Sequence, residues 1–298
     1  MKSLPSILLV LGTALGLNAQ TTPFIHYTFN DANTSTTTAT NSGSSGAALN
    51  GVFVNSAGTP TALQNVTGVS GKAGDYAFNN SAATMSGAGG AVTASNLRDA
   101  LSNAYGTTLV ESYTISMWYY STDVALSNSA RLMAITGTAN PVDIRNYISD
   151  GRVATTLGEE TPNTGSGVST PYAAVGEWLY IAVTVDLTQP SSNVKFYAGS
   201  TEDAVSLVAT SSVGASNMNI SSTLRIGNYI GTLSNAFEGY IDDFQLHLST
   251  TNASGVLSQA QLENIRASAI PEPRESALIF LFGGALVAFF YKRAFCRR

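Results

Sequence analysis

The sequence predicts an all-β protein, a sandwich of two antiparallel sheets with one or two short helices. Three observations predict it. Short runs of branched and aromatic residues recur at near-regular spacing between Gly, Ser and Asn turns. The best-defined runs alternate with period two, as half-buried strands do. Only two stretches carry a helical pattern.

The strands follow in order. FIHYTFN (24–30) puts Ile25, Tyr27 and Phe29 on one face. DYAFN (75–79), SYTISMWYYS (112–121), RLMAITG (131–137), VDIRNYIS (142–149) and EWLYIAVTVD (177–186) come next. NVKFYAG (193–199), AVSLVAT (204–210), TLRIGNY (223–229) and FEGYIDDFQLHL (237–248) complete the set. In 112–121, Ile115, Met117 and Tyr119 point one way, and Ser116, Trp118 and Tyr120 the other. In 177–186, Leu179, Ile181, Val183 and Val185 form one face, opposite Trp178, Tyr180, Ala182 and Thr184. An aliphatic inner face and an aromatic and hydroxyl outer face fit two stacked sheets. The outer aromatics are either a ligand platform or packed beneath a covering loop. One helix spans 95–105. Another starts at Ser258, where S-Q-A-Q fits a capping box, and runs to about Ala267 with Leu262 and Ile265 facing the sandwich. The stretches 33–51 and 159–171 are low in complexity and read as surface loops.

Both ends read as targeting segments. Lys2, an apolar stretch from Ile7 to Leu17 and then small and polar residues predict a signal peptide over 1–19, cut after Ala19. The body is then 20–269. At the far end Ala277 to Tyr291 carries no charge, and nine of these residues are Leu, Ile, Phe or Val. They favour a bilayer by roughly 3–5 kcal/mol together. A helix of that length covers about 22 Å, short of a ~30 Å hydrocarbon core, so a buried core helix is the alternative. Lys292, Arg293, Arg297 and Arg298 in the tail (292–298) favour the membrane, with the C-terminus on the cytoplasmic side.

Composition narrows the partners. Between Thr21 and Ala269, eight Lys or Arg stand against seventeen Asp or Glu, leaving −9. That surface offers no basic stripe, so nucleic acid is not an expected partner. The single cysteine, Cys296, lies in the tail, so no intrachain disulfide is possible. Catalytic patterns are missing as well. There is no H-E-x-x-H, G-x-S-x-G or P-loop, and the only histidines are His26 and His247. His26 lies opposite the aliphatic face of its strand and reads as exposed. Asp242 and Asp243 are neighbours, so pleat geometry sends them to opposite faces.

Two resemblances follow. Pro271, Glu272 and Pro273, then the apolar run and the basic end, resemble a PEP-CTERM sorting signal over 270–298. That resemblance implies export by the Sec route and an inner-membrane-anchored precursor. It also implies cleavage near Pro-Glu-Pro by an exosortase-type enzyme, and a final place at the cell surface or outside the cell. A permanent anchor is the other reading. FIHYTFND, ALNG, GKAGDYAFNNS (71–81), YTISMWYYS, GEWLYIAVTVD and the block from LRIGNY to LSQAQLENI are similar to a LamG-like domain. This implies the concanavalin A-like jelly roll. It also implies a structural Ca²⁺ held by Asp242 with oxygens from Asp31, Asn41 and Gly43. Glycan-cutting members of that superfamily carry glutamates near E-x-D-x-x-E, absent here, and Glu159 and Glu160 sit adjacent in a loop. The expected function is non-catalytic: binding of polysaccharide or surface glycans, or adhesion, with Tyr147, Tyr172 and Tyr229 stacking on sugar rings. A glycoside-active enzyme and an inert matrix component are the alternatives.

Overall fold

The computed structural model describes residues 22–270, except 32–34, 84–87, 123–129, 137–141, 148–151, 158–174, 216, 221 and 230–234. Residues 1–19, where a signal peptide is expected, and everything from Pro271 onward, including the apolar run, lie outside the described residues. Among the described residues no helix is long and apolar enough to cross a membrane.

The elements in chain order are β1 (Ile25–Tyr27), β2 (Thr38–Ala39), β3 (Gly51–Val54), β4 (Gln64–Thr67), β5 (Tyr76–Asn79), β6 (Ala91–Ser95) and α1 (Leu97–Tyr105). Then come β7 (Leu109–Val110), β8 (Ser112–Ser121), β9 (Ala130–Thr136), β10 (Val142–Tyr147), β11 (Arg152–Leu157) and β12 (Trp178–Asp186). The last are β13 (Val194–Ser200), β14 (Ser206–Ser211), β15 (Met218–Asn219), β16 (Thr223–Ile226), β17 (Gly239–Ser249) and α2 (Gln259–Ala269). One sheet runs β14-β13-β12-β8-β17-β5-β4, with β1 also on β17; the other runs β11-β10-β9-β16-β6-β3-β2. Every pairing in both is antiparallel. This is the predicted two-sheet sandwich.

The alternation read from sequence decides which face is inside. Ile115, Met117 and Tyr119 of β8, and Leu179, Ile181, Val183 and Val185 of β12, all enter the core between the sheets. Leu132, Met133 and Ile135 of β9 and Leu224 and Ile226 of β16 meet them from the second sheet. Each such side chain contributes about 1.5–3 kcal/mol by leaving water.

The first sheet is also covered on its outer face. Ser258 caps α2: its hydroxyl accepts from the Gln261 amide, and the Gln261 side chain accepts from the Ser258 amide, the predicted capping box. Leu262 and Ile265 then pack on Trp118, Tyr180, Ala182 and Tyr197. The choice between platform and covered aromatics is settled for Trp118 and Tyr180: both are fully buried beneath α2.

Some expectations need correction. The stretch 33–51 is not all loop. It holds β2, a 3₁₀ turn over Gly46–Leu49 and the first residue of β3, and Leu49 is fully buried. The strands β3, β4, β6 and β11 were not read from the sequence.

Candidate ligand-binding site

α2 covers part of the outer face of the first sheet, and the outer face of the second carries a row that includes polar and charged side chains. Cross-strand pairing sets Thr156, Asp143, Ala134, Arg225 and Thr93 in one row over β11, β10, β9, β16 and β6. Their sequence neighbours Ile144, Met133, Leu224 and Val92 are in the core, so the row faces outward. At its centre Ala134 offers only a methyl group, and longer side chains gather around it. Arg131 Nε donates to Asp143 Oδ2 at 3.0 Å, and Arg145 Nε donates to Asp143 Oδ1 at 3.0 Å. A second Arg145 nitrogen donates to Thr156 Oγ1 at 2.7 Å. Asp143 is 1 % exposed and thus a buried charge held by two guanidinium groups.

Arg225 is arranged differently. One terminal nitrogen donates to the Tyr229 carbonyl at 3.4 Å, while Nε is buried with no hydrogen-bond partner. Thr93 Oγ1, its cross-strand neighbour, is buried without a partner too. Burial holds the Arg225 guanidinium below its ordinary value. Both atoms are closed to solvent, so they are unmet polar groups beneath this face and not points of contact.

Tyr229 stands beside them on a rigid turn. Gly227 has φ +80, and a Cβ there would lie 2.5 Å from the Phe78 ring. Asn80 donates to the carbonyls of Gly227 and Phe237, and Asn228 to that of Gly89. So held, the Tyr229 ring receives the Arg131 guanidinium 4.9 Å from its centroid. Of the three predicted sugar-stacking residues, only Tyr229 is placed at this site. Tyr147 ends β10 opposite Arg152, and Tyr172 lies outside the described residues.

A cavity of about 320 Å³ opens beside β1 and β17 and ends at Ile270. His26, Asp75, Asp242 and Asp243 line it. Two expectations fail here. Asp242 pairs with Trp118 but Gln245 with Ser116, so β17 carries one extra residue, and Asp243 turns to φ +46. This bulge brings both aspartates to the same cavity, where pleat geometry alone would part them. His26 is not simply exposed: its Nε2 lies 2.5 Å from Asp243 Oδ1. Asp75 joins them across Gly68, whose Cβ would meet Asp242 Oδ2 at 2.5 Å and Asp75 Oδ2 at 2.6 Å. Burial pushes the Asp242 carboxyl well above the usual carboxylate range. Repulsion from Asp75 and Asp243 adds to this, against amide donation from Val69 and Asp243.

The four predicted calcium ligands do different work. Asn41 Oδ1 accepts from the amides of His26 and Gly43, while its NH₂ donates to Ser45 and to the Gly46 carbonyl. Gly43 packs where a Cβ would strike the Phe24 backbone. Asp31 accepts from the Thr40 amide, and Asp242 from those of Val69 and Asp243. Asn41 Oδ1 already accepts two amides, which leaves it no lone pair for calcium. Among the described residues no group of three or more His, Cys, Asp or Glu is placed to hold a metal.

Beyond Gln245, His247 Nε2 meets Gln245 Oε1 at 3.2 Å. Burial pushes this imidazole down to about 4, with His26 adding repulsion. The unfolded chain binds that proton near 6.5, so stability falls as pH drops from about 6.5 toward 4. At ~1.36 kcal/mol per pH unit the loss reaches about 3 kcal/mol. Asp242 acts in the opposite sense, because the folded state holds its proton at higher pH than the unfolded chain does. Replacing His247 with Gln is therefore expected to flatten the acid limb measured by urea unfolding at pH 7, 5.5 and 4.5. Parallel curves for the two proteins would remove His247 from the acid response.

Sequence reading missed the Arg131–Asp143–Arg145 cluster and one further group. Trp178, Tyr120 and Tyr240 lie side by side on β12, β8 and β17, on the outer face of the first sheet just beyond α2. Alternation had placed Trp178 and Tyr120 on outer faces, but nothing in the sequence set them beside Tyr240.

Several known structures share this arrangement. A botulinum neurotoxin type C structure, whose cell entry depends upon interaction with two ganglioside molecules, matches at 14% identity and TM-score 0.53, over 83% of this chain and 51% of that one. The binding domain of botulinum neurotoxin DC in complex with rat synaptotagmin II matches at 14% identity and TM-score 0.53, over 83% and 52%. The serotype G binding domain matches at 12% identity and TM-score 0.51, over 83% and 51%. The chain thus spans about half the length of these structures, and at such identities the likeness is one of fold. No curated protein matches the chain. Residues 86–256, more than half of the sequence, match a laminin G-type family, and the chain belongs to the concanavalin A-like lectin/glucanase superfamily.

Proposed function

We propose that the chain is an exported, non-catalytic surface or extracellular-matrix protein that binds carbohydrate or mediates adhesion. The observation that carries this is the outer face of the second sheet, where the half-buried Arg225 and Thr93 side chains stand in one row beside Tyr229. Sugar sites combine an aromatic face with a few fixed polar groups, and this face has both. Lectin-like members of the superfamily and the ganglioside-dependent toxin above support the ligand class by analogy of fold alone. The tail belongs to the same proposal: Sec export, an inner-membrane precursor, and exosortase cleavage near Pro271–Pro273. Mass spectrometry of the mature C-terminus checks it, since an intact Arg298 would mean a permanent anchor.

The test is a glycan array with the full-length protein, Tyr229→Ala and Arg225→Gln. Saturable binding weakened about tenfold in either variant, a loss of ~1.4 kcal/mol, is the expected result. Binding unchanged in both would move the ligand away from this face, and a blank array would remove carbohydrate binding from the reading. Running the array with calcium and with EDTA tests the ion that the resemblance implies. Equal binding and equal melting in both would remove calcium from the reading.

A glycoside-cleaving enzyme is the second reading. One observation favours it: Asp75, Asp242 and Asp243 share a cavity, and burial raises the Asp242 carboxyl above the usual carboxylate range. Against it, both Asp242 oxygens are held by backbone amides. Release of shorter sugars from any array glycan, abolished by Asp243→Asn, would replace the binding reading with this one.

A further inference from the structure

We propose that the Trp178–Tyr120–Tyr240 row is a membrane contact of the tail-bearing chain, seated in the headgroup layer of the bilayer that residues 277–291 enter. The proposal rests on the reading of those residues as a membrane segment.

The row is compact and amphipathic. Ring centroids lie 5.6 Å apart for Tyr120 and Trp178, 5.3 Å for Tyr120 and Tyr240, and 6.3 Å for Trp178 and Tyr240. All three side chains are half-buried. Rings with an apolar body and a polar tip gather at the membrane–water interface because both parts are satisfied there.

Position ties the row to the tail. One step along the same strands, Tyr180, Trp118 and Asp242 form the next row. There α2 roofs the two aromatics, and Ile270 and Trp178 pack against the same cluster. Ile270 also lines the cavity that holds Asp242. The chain therefore leaves the folded body beside the aromatic row. Only residues 271–276 separate Ile270 from Ala277. Fully extended, seven steps reach about 25 Å. A body tied this closely keeps its exit side near the bilayer, and the aromatic row is on that side.

Local charge selects the lipid. Asp75 and Asp243 stand in the adjoining cavity with Lys72 as the one lysine or arginine of its lining, and Glu177 is exposed at the start of β12. Anionic headgroups are repelled there, whereas the ammonium of phosphatidylethanolamine is attracted. The second sheet turns its outer face the opposite way, so a membrane on the first sheet leaves the Arg225–Tyr229 face open.

Tryptophan emission tests this. The chain has two tryptophans, and Trp118 is fully buried. The full-length protein is reconstituted into phosphatidylethanolamine–phosphatidylcholine vesicles with lipids brominated near the headgroup. Trp118→Phe, which keeps only Trp178, is expected to lose emission to the bromine, and Trp178→Phe to keep its emission. Replacing phosphatidylethanolamine with phosphatidylglycerol is expected to weaken the quenching. If the protein floats with the vesicles but Trp118→Phe is not quenched, the row does not touch lipid and the proposal falls. If the protein does not float at all, the membrane reading of the tail fails first, and this proposal with it.

Discussion

Asp143→Ala is expected to destabilise the folded protein by about 3–5 kcal/mol. Asp143 is the shared partner of Arg131 and Arg145, and it is 1 % exposed. Removing it leaves two guanidinium groups facing each other across β9 and β10, which pair at those residues. Arg131, with a side chain only 8 % exposed, cannot recover its lost partner from bulk water. For a body of this size each kcal/mol shifts Tm by roughly 2–4 °C, so the lower bound corresponds to a drop of about 6–12 °C. Urea unfolding checks the number. A loss below about 1 kcal/mol would mean that the arginines find other acceptors and that Asp143 is no keystone of this face. Asp143→Asn keeps the shape but not the charge, so it separates packing from electrostatics.

Trp118→Ala is expected to cost about 3 kcal/mol, the low end of the range for deleting a large buried aromatic. Trp118 is fully buried between the first sheet and α2, edge-on to Tyr180 with centroids 5.4 Å apart at 63°. Its indole N–H has no hydrogen-bond partner, so the deletion also relieves an unmet donor, and this places the estimate at the low end. The effect should be local as well as global. Leu262 and Ile265 lose their main contact surface, and amide exchange along α2 should speed up more than exchange in β12 or β13. Uniform acceleration, or none in α2, would show that the helix is held by Arg266, Glu263 and the Ser200 carbonyl instead.

These two residues show how unevenly the sequence reveals the molecule. Trp118 sits in a ten-residue strand whose alternation gives both its boundaries and its inner face. α2 announced itself through Ser258 and Gln261, because a capping box is a local pattern. The strands β6 (AVTAS) and β11 (RVATTL) did not. Small residues and threonines fill them, so no strong apolar alternation marks the strand. The site was harder still. Asp143, Arg131 and Arg225 come from three strands, and only the register between those strands makes them neighbours. The bulge at Asp243 is likewise a mismatch between β17 and β8, invisible in either strand alone. Tyr229 was one of three tyrosines chosen from their loop context, and of those only it falls on this face.

One pairing bears on how the protein comes to be made. Among the described residues β1 pairs only with β17, Ile25 against Leu246 and Tyr27 against Phe244. The opening segment of the chain therefore has no ladder to join until nearly the whole body exists. Contacts so far apart in sequence close late and slowly. A polypeptide threaded through a pore from its N-terminus would keep Ile25 and Tyr27 without their strand partner for most of its passage, while Phe29 could already pack on Phe53 and Phe78.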